Sequence, residues 1–223
     1  MSSADTGAEP RAPLTRDRIL RAAMDLADAG GLEALTMRRL ARALGVEAMS
    51  LYYHAANKDA ILDGVVDLVM QEIELPTAGG DWKAALRASA ISAHRVLQSH
   101  PWACNLLMSA PRIMPARLRQ IDALLGILRE AGLPDETTDL AYHAIDSHIL
   151  GFTLWEAGYT SGFKDLPPDF AQTFLRDLPV EHYPNLAEHI AFHLRPRSGE
   201  RPSEFEFGLD LILDGLDRAR DGV

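Results

Sequence analysis

Cationic and hydrogen-bonding side chains are concentrated in residues 36–59, and DNA recognition is the chemistry that they suit. Three arginines lie within five positions, Arg38, Arg39 and Arg42, and an aromatic run follows them, Tyr52-Tyr53-His54. A guanidinium group donates two hydrogen bonds to the major-groove edge of guanine or pairs with a phosphate. These side chains can read DNA only if a rigid scaffold presents them together, so the elements that carry them have to be identified.

Two short helices joined by a tight turn would position these groups. Thr36 is suited to cap the first helix, on which apolar residues recur at the three-and-four spacing of one face: Met37, Leu40, Ala41 and Leu44. Gly45 follows, a residue type that ends a helix in the left-handed conformation without a steric penalty. A second helix is predicted at about residues 47–54, with Leu51 as its anchor in the core. The pattern predicts a helix-turn-helix.

The segment from about residue 14 to residue 64 closely resembles the DNA-binding domain of the TetR family of bacterial transcription regulators. The resemblance is seen in these residues and strings: Thr36, Leu40-Ala41, Leu44-Gly45-Val46, Leu51-Tyr52-Tyr53-His54, Asn57-Lys58 and Ile61-Leu62. A helix pair with a glycine turn is by itself a weak signal. The Leu-Tyr-Tyr-His string followed by Asn-Lys-Asp makes the match specific, whereas beyond residue 64 the resemblance is only architectural.

The resemblance implies which side chains of this segment meet DNA. Base-edge contacts are expected from both helices: Ala48, Met49, Tyr52, Tyr53 and His54 on the second, and Met37 and Arg38 on the first. Lys58 is expected to meet a phosphate. Since Ala48 and Met49 offer no hydrogen bonds, Arg38 is the foremost candidate for a direct contact to guanine. The competing interpretation makes Tyr52 a core residue and His54 an ordinary surface residue.

The charge distribution favours a DNA-facing segment on an acidic body. The 223 residues carry a net charge of −10, with 47% hydrophobic and 24% charged residues. Within residues 11–60 eight basic side chains outnumber six acidic ones, so the remainder carries −12. No apolar run approaches the roughly 18 residues of a membrane span, and no signal peptide is recognisable, so a cytoplasmic protein is expected. The single cysteine, Cys104, is expected to serve only in packing.

Helical patterns separated by proline and glycine fill the chain, and no strand pattern is found, so the predicted fold class is all-α. Residues 1–13, which include Arg11, are predicted to form a flexible arm. Residues 14–62 are predicted to form the helix-turn-helix domain, whose first helix (15–29) is expected to stop at Gly30-Gly31. A shared fourth helix, residues 57–75, leads into a bundle that spans residues 63–223. Seven further helices are predicted, at about residues 82–99, 102–109, 116–131, 136–160, 168–178, 184–194 and 203–220.

Two of these predicted helices, residues 136–160 and the last one, are apolar over most of their surface and need cover on every side. The family resemblance implies that they pair with their copies in a four-helix interface, so a homodimer is expected on a near-palindromic double-stranded DNA operator. The resemblance also implies a small-molecule pocket in the bundle. Candidate lining residues are Trp102, Leu106, Met108, Ile113, His143, Ser147, His148, Phe152, Trp155 and Tyr159; the alternative for each is ordinary core. His143 and His148, five positions apart, cannot both face one cavity.

No metal, cofactor or catalytic activity is expected. His189 and His193 have a spacing that suits zinc and Glu188 adjoins them, but the set is short of ligands, so solvated side chains are favoured. Nucleophile-elbow, dinucleotide-binding and phosphate-loop motifs are absent. The function indicated is a ligand-responsive repressor released from its operator when a small molecule binds the bundle. Two alternatives remain open: a constitutive dimeric regulator without a ligand, and a helical ligand-binding protein or enzyme that retains the helix-turn-helix as scaffold.

Overall fold

Helices are the regular secondary structure of the part of the chain that the structure describes. The computed structural model describes residues 13–109, 114–163, 169–194 and 203–221, with the backbone alone at residues 160–163, 171 and 193. Within these ranges the helices are α1 (Arg16–Ala34), α2 (Met37–Leu44), α3 (Ala48–Tyr52), α4 (Lys58–Gln71), α5 (Trp82–Ser99), α6 (Pro101–Ser109), α7 (Pro115–Glu130), α8 (Asp135–Phe163), α9 (Phe170–Asp177), α10 (Pro184–Leu194) and α11 (Glu204–Asp221). The predicted all-α class, with a helix-turn-helix followed by a bundle, is confirmed.

Some predictions fall outside the described residues. They concern Ile113 and nearly all of the predicted arm, including Arg11. No helix in the described ranges is long and apolar enough to cross a membrane.

Helix α1 is the support on which the helix-turn-helix rests. Thr15 caps it by accepting a hydrogen bond from the backbone N–H of Arg18. The break predicted at Gly30-Gly31 is present, since Gly31 has a φ of 70°, but the helix resumes for one further turn as far as Ala34. A glycine pair therefore interrupts α1 rather than ending it.

Helices α2, α3 and α4 share one small core with α1. Leu40, Leu51 and Ile61, one from each of the three helices, are at most 1% exposed. The crossing of α1 and α4 is close because α4 has a glycine there: a Cβ on Gly64 would lie 2.8 Å from a methyl carbon of Leu20. Packing of this kind joins the helix-turn-helix firmly to α4.

Helix α4 ends at Gln71, four residues before the predicted end. The chain after it bonds to α5 instead of continuing the helix. The backbone N–H of Glu74 donates to Ser92 Oγ at 3.0 Å, and Ser89 Oγ donates to the Glu74 carbonyl at 2.7 Å. Two serines distant in sequence thus bond both backbone groups of Glu74, three residues beyond the helix, which the local sequence pattern does not reveal.

The body is a bundle in which α5, α8 and α11 pack together and α6 and α7 join them to α4. Its core contains Leu86, Leu97, Ile145, Phe205 and Leu209, each at most 2% exposed. Ion pairs fasten α11 to α5: Arg87 donates to Asp210 at 2.7 Å and to Glu206 at 2.6 Å, and Lys83 pairs with Asp214. Helices α9 and α10 pack mainly on each other.

A second contact links α4 to the body through α7. The backbone N–H of Ala116, in the first turn of α7, donates to Asp67 Oδ1 at 2.7 Å. Helix α7 has no side-chain cap of its own, because Met114 occupies that position. A carboxylate from α4 therefore caps α7. A movement of α4 would displace this carboxylate from the first turn of α7.

Candidate DNA-binding surface and ligand cavity

The turn between α2 and α3 has the geometry that the sequence predicts. Thr36 Oγ1 accepts from the backbone N–H of Arg39 at 3.2 Å and so caps α2. Gly45 has φ 67° and ψ 34°, in the left-handed region. The N–H groups of Gly45 and Val46 donate to the carbonyls of Arg42 and Ala41 at 3.1 and 3.0 Å. This arrangement closes α2 and turns the chain into α3.

Helix α3 is shorter than predicted and spans Ala48–Tyr52 instead of residues 47–54. Glu47, at its N-cap, makes no side-chain capping bond, and after Tyr52 the chain forms a turn in which the N–H groups of His54 and Ala55 both donate to the Leu51 carbonyl. Leu51 is fully buried and holds the helix against α2. With Leu51 turned to the core, the other large side chains of α3, Met49 and Tyr52, are exposed.

Most of the side chains implied in base contact lie on that outer surface. Met49 is 70% exposed, Tyr52 46% and Tyr53 87%. His54 and Arg38 are also exposed, whereas Met37 and Ala48 are partly buried. The alternative that Tyr52 is a core residue does not agree with an exposure of nearly half its surface.

The same surface carries exposed cations. Arg38, Arg39, Arg42 and Lys58 are all exposed, and none of them forms an ion pair with a described residue. Asn57 accepts from the N–H of Ala60 at 2.8 Å and caps α4, so that Lys58 stands at the first position of that helix. Exposed arginine and lysine side chains without acidic partners are available to phosphates and base edges.

The body contains a cavity of about 270 Å³ between α5, α8 and the start of α11. Of the residues predicted to line a pocket, Phe152 is part of its wall. Trp155 stacks on Tyr159 with ring centroids 5.4 Å apart beside Phe152, but both rings are about half exposed. His148 lies behind the wall and forms a 2.9 Å hydrogen bond to the Phe205 carbonyl.

The structure does not bring the other predicted lining residues to this cavity. Trp102 and Leu106 are buried in α6, and Trp102 Nε1 donates to Asp28 of α1 at 2.7 Å. Met108 is 60% exposed, and His143 and Ser147 lie on the exposed side of α8. Helical spacing alone gave no means of separating these positions from the wall of a cavity.

Sequence reasoning missed the polar residues of the cavity. His94 is only 7% exposed, and Gln98 donates to Glu156 at 2.7 Å. Burial lowers the pKa of His94, while the negative charge of Glu156 opposes this effect. His94 and Gln98 stand four residues apart on α5, but Glu156 is 62 positions from His94 along the chain, so the sequence pattern gave no signal that they meet.

Exposed apolar side chains form a surface on the outside of the bundle. Leu140, Trp155 and Tyr159 on α8 are more than half exposed, as are Phe207 and Leu211 on α11. On α11 the buried residues Phe205, Leu209 and Leu213 occupy one face, and the exposed apolar residues occupy another. We call the exposed set, Leu140, Trp155, Tyr159, Phe207 and Leu211, the outer apolar face. A helix with two apolar faces has one face left for another partner.

Cys104 and His189 are not among the residues that line the cavity. Cys104 is buried, and burial raises the pKa of its thiol to about 11. His189 is exposed in α10, while the side chain of His193 lies outside the described residues. Among the described side chains no cluster of three or more His, Cys, Asp or Glu is arranged to hold a metal ion.

Comparison with protein families agrees with this anatomy. Residues 19–65, which hold the helix-turn-helix, match the model described as bacterial regulatory proteins, tetR family. Residues 75–220 match the tetracyclin repressor-like C-terminal domain. The chain belongs to the TetR family. The family match thus covers both the DNA-binding segment and the bundle.

Relatives within the TetR family extend over almost the whole chain. The HTH-type transcriptional repressor DrrR1 of Streptomyces coeruleorubidus is 35% identical over 226 residues, which cover 96% of this chain and 82% of that protein. ActR of Streptomyces coelicolor without ligand has 30% identity and a TM-score of 0.77, covering 96% of this chain and 99% of ActR. The complex of ActR with actinorhodin has 31% identity and a TM-score of 0.75, covering 94% of this chain and 99% of ActR. BioQ, solved with its double-stranded DNA operator, has 25% identity and a TM-score of 0.61, covering 92% of this chain and 98% of BioQ.

Proposed function

We propose that this TetR family protein is a homodimeric repressor that leaves its DNA operator when a small molecule binds the bundle. The observation that supports this most directly is the exposed cationic surface of α2 and the start of α4, which forms no ion pair with the described residues, in a protein whose body contains a cavity. The relatives agree with it, since DrrR1 is named a repressor, ActR is known in complex with actinorhodin and BioQ in complex with operator DNA.

DNA binding is assigned to the helix-turn-helix domain, residues 14–62, with residues 1–13 as an arm. Arg38 reads a guanine, Met49, Tyr52, Tyr53 and His54 line the major groove together with Met37 and Ala48, and Lys58 meets a phosphate. This division of labour follows from chemistry: an arginine forms two directed bonds with guanine, whereas a lysine acts on phosphate as a point charge.

Dimerisation is assigned to the outer apolar face within the body, residues 63–223. Exposed aromatic and leucine side chains on two neighbouring helices match the composition of homodimer interfaces. Two-fold pairing of this face gives a four-helix interface and sets two copies of α3 for successive major grooves, about 34–36 Å apart.

Ligand control requires that the cavity communicate with α4, and the packing offers a physical route. The cavity is walled by α5 and α8, α5 holds the segment after α4 through Ser89 and Ser92, and α4 caps α7 through Asp67. A ligand that favours a second arrangement of these contacts tilts α4 and changes the spacing of the two α3 helices. A coupling of about 1–3 kcal/mol lowers DNA affinity roughly 5- to 150-fold.

The experiment that tests the proposal is selection of random duplex DNA by the purified protein, followed by titration of the selected site at two salt concentrations. We expect a near-palindromic site and an affinity that falls steeply with salt, because bound phosphates release their counterions. Failure of folded, dimeric protein to enrich any sequence would contradict the proposal. If a site is selected but no ligand weakens binding, the protein is a constitutive regulator.

A further inference from the structure

The cavity in the body has an aromatic floor and a polar mouth. Phe152 is the partly exposed ring of its wall and meets Phe205 edge to face at 5.6 Å. Phe205 itself is only 1% exposed, because the rings of His94 and His148 stack on it at 3.9 and 4.9 Å. Glu156 and Gln98 stand at the mouth. Aromatic surface beside a few convergent polar groups is the usual composition of a small-molecule site.

The hydrogen bonds of His94 fix which of its ring nitrogens carries a proton. Thr153 Oγ1 donates its single proton to the Ile149 carbonyl at 2.7 Å, as threonine commonly does within a helix. Thr153 Oγ1 is also 2.9 Å from His94 Nδ1, so it must accept there. Nδ1 therefore carries the proton, and the ring is neutral at pH 7 because burial lowers the pKa of His94. Nε2 is then an acceptor.

The acceptor on His94 faces another acceptor. Nε2 lies 3.4 Å from Glu156 Oε2, and no described residue donates a hydrogen bond to Nε2. Gln98 holds the Glu156 carboxylate in this position at 2.7 Å. Two acceptors side by side at the mouth of a cavity, one of them buried and the other anionic, are satisfied together by a group that donates at least two hydrogens, and a cationic donor also offsets the negative charge.

The other charges around the cavity do not supply such a group. Glu206 is bonded to Arg87, and Glu204 adds a further carboxylate at the rim. Arg95 is the one cation among the described lining residues and lies on the exposed side of α5. The site thus combines aromatic walls with an excess of acceptors and negative charge, which selects against anionic ligands.

We propose that this cavity binds a small aromatic amine in its protonated form, with the ammonium group donating to both His94 Nε2 and the Glu156 carboxylate while the ring packs on Phe152. The assignment rests on the proposed function in one respect, since it makes this amine the effector that releases DNA. An ammonium group has three donor hydrogens, enough for both acceptors, and its charge is favoured near the aromatic faces.

The first test compares ligands that differ only in the polar group. The full-length dimer is titrated calorimetrically at pH 7 with 2-phenylethylamine, 2-phenylethanol and phenylacetate, and with tryptamine, tryptophol and indole-3-acetate. We expect each amine to bind roughly tenfold or more tightly than its alcohol, and the carboxylates to bind more weakly still. The proposal is overturned if neither amine binds, or if alcohols or carboxylates bind as tightly as the amines.

The second test removes the charge at the mouth. Glu156→Gln is expected to lower amine affinity roughly tenfold or more and to leave alcohol affinity within about twofold, since only the amine needs the charge. Glu130→Gln, at an exposed carboxylate near the end of α7, is the matched control and is expected to change neither. Equal loss for amine and alcohol would show a structural role for Glu156 and would contradict the assignment.

Nitrogen NMR of the histidines gives a readout that does not depend on affinity. With ¹⁵N-labelled histidine, the His94 signals, assigned by their loss in His94→Gln, are expected to show a protonated Nδ1 and an unprotonated Nε2 in the free protein. Tryptamine is expected to shift the Nε2 signal most. A protonated Nε2 in the free protein would overturn the donor-bridging geometry.

The outcomes separate this inference from the proposed function. If the protein selects an operator but no amine binds, the cavity assignment fails and the repressor stands. If amines bind with the expected Glu156 dependence but leave operator affinity unchanged, the site stands and its effector role fails.

Discussion

Asp28 of α1 and His100, the residue after α5, are joined by a hydrogen bond of 2.7 Å between Asp28 Oδ1 and His100 Nδ1. Trp102 Nε1 of α6 donates to the same oxygen at 2.7 Å. One carboxylate of the helix-turn-helix domain thus accepts from two side chains of the body, of which His100 is 8% and Trp102 6% exposed. We call this cluster of Asp28, His100 and Trp102 the joint.

Removal of the carboxylate at the joint should destabilise the protein. In Asp28→Ala the buried donors of His100 and Trp102 lose their acceptor, which costs about 1–3 kcal/mol of unfolding free energy. Asp28→Asn keeps an acceptor oxygen and should cost less. Urea unfolding at fixed protein concentration measures both, and Asp25→Ala on the exposed side of the same helix is the control. Equal stability of Asp28→Ala and the control would show that the joint contributes nothing.

The DNA surface makes different predictions for Arg38 and Lys58. Arg38→Ala should weaken binding to the selected operator by about 1–3 kcal/mol and relax the sequence preference at one position, because a paired contact to guanine is lost. Lys58→Ala should weaken operator and random DNA alike and reduce the salt slope by about 1. Electrophoretic titrations with Arg129→Ala as control distinguish the two. Retention of full specificity by Arg38→Ala would place the reading surface elsewhere.

The outer apolar face can be tested by introducing a charge. Leu211→Asp places a carboxylate in the proposed interface, where an unpaired buried charge should weaken dimerisation roughly 100-fold or more. Leu118→Asp is the matched control, since Leu118 on α7 is 51% exposed and Leu211 is 57% exposed. Sedimentation equilibrium measures the dissociation constant. An unchanged dimer in Leu211→Asp would remove α11 from the interface.

The turn between α2 and α3 depends on the left-handed conformation of Gly45. Gly45→Ala should destabilise the protein by about 1–2 kcal/mol, because a side chain is strained at a φ of 67°. Gly126→Ala is the opposite control: Gly126 lies in α7 with open space around it, so alanine there should stabilise by up to about 1 kcal/mol. Thermal unfolding of both variants measures the difference, and a neutral Gly45→Ala would contradict the strain argument.

Sequence predictions were accurate where an interaction joins residues close together in the sequence, and they failed where it joins residues far apart. The cap at Thr36 and the turn at Gly45 depend on neighbours close in sequence, so the pattern revealed them. The segment after α4 is held by serines 15 and 18 positions beyond Glu74, and the end of this helix was misplaced.

The lining of the cavity could not be predicted from the sequence for the same reason. Its donor and acceptor pattern is created only when α5, α8 and α11 pack together, so of the predicted lining residues Phe152 lies on its wall while His94 and Glu156 were missed. Aromatic residues at helical spacing occur equally in cores, cavities and dimer faces, and α8 contributes residues to all three. Periodicity identifies which face of a helix is apolar but not what covers that face.

The buried thiol of Cys104 provides a test of the body's packing that is independent of DNA and ligand. Its pKa is raised to about 11 by burial, compared with about 9 for a thiol in the unfolded chain. At pH 8 the thiolate is therefore about 100-fold scarcer in the folded state, and labelling by a disulfide reagent should be slower than in urea by at least that factor.

The same shift in the pKa of Cys104 implies that stability falls as pH rises from about 9 to about 11, since the unfolded chain loses its proton first. The difference in unfolding free energy between the wild type and Cys104→Ala across this range isolates the thiol from other groups. Rapid native labelling, or a difference that does not change with pH, would show that the core around α6 is open to solvent.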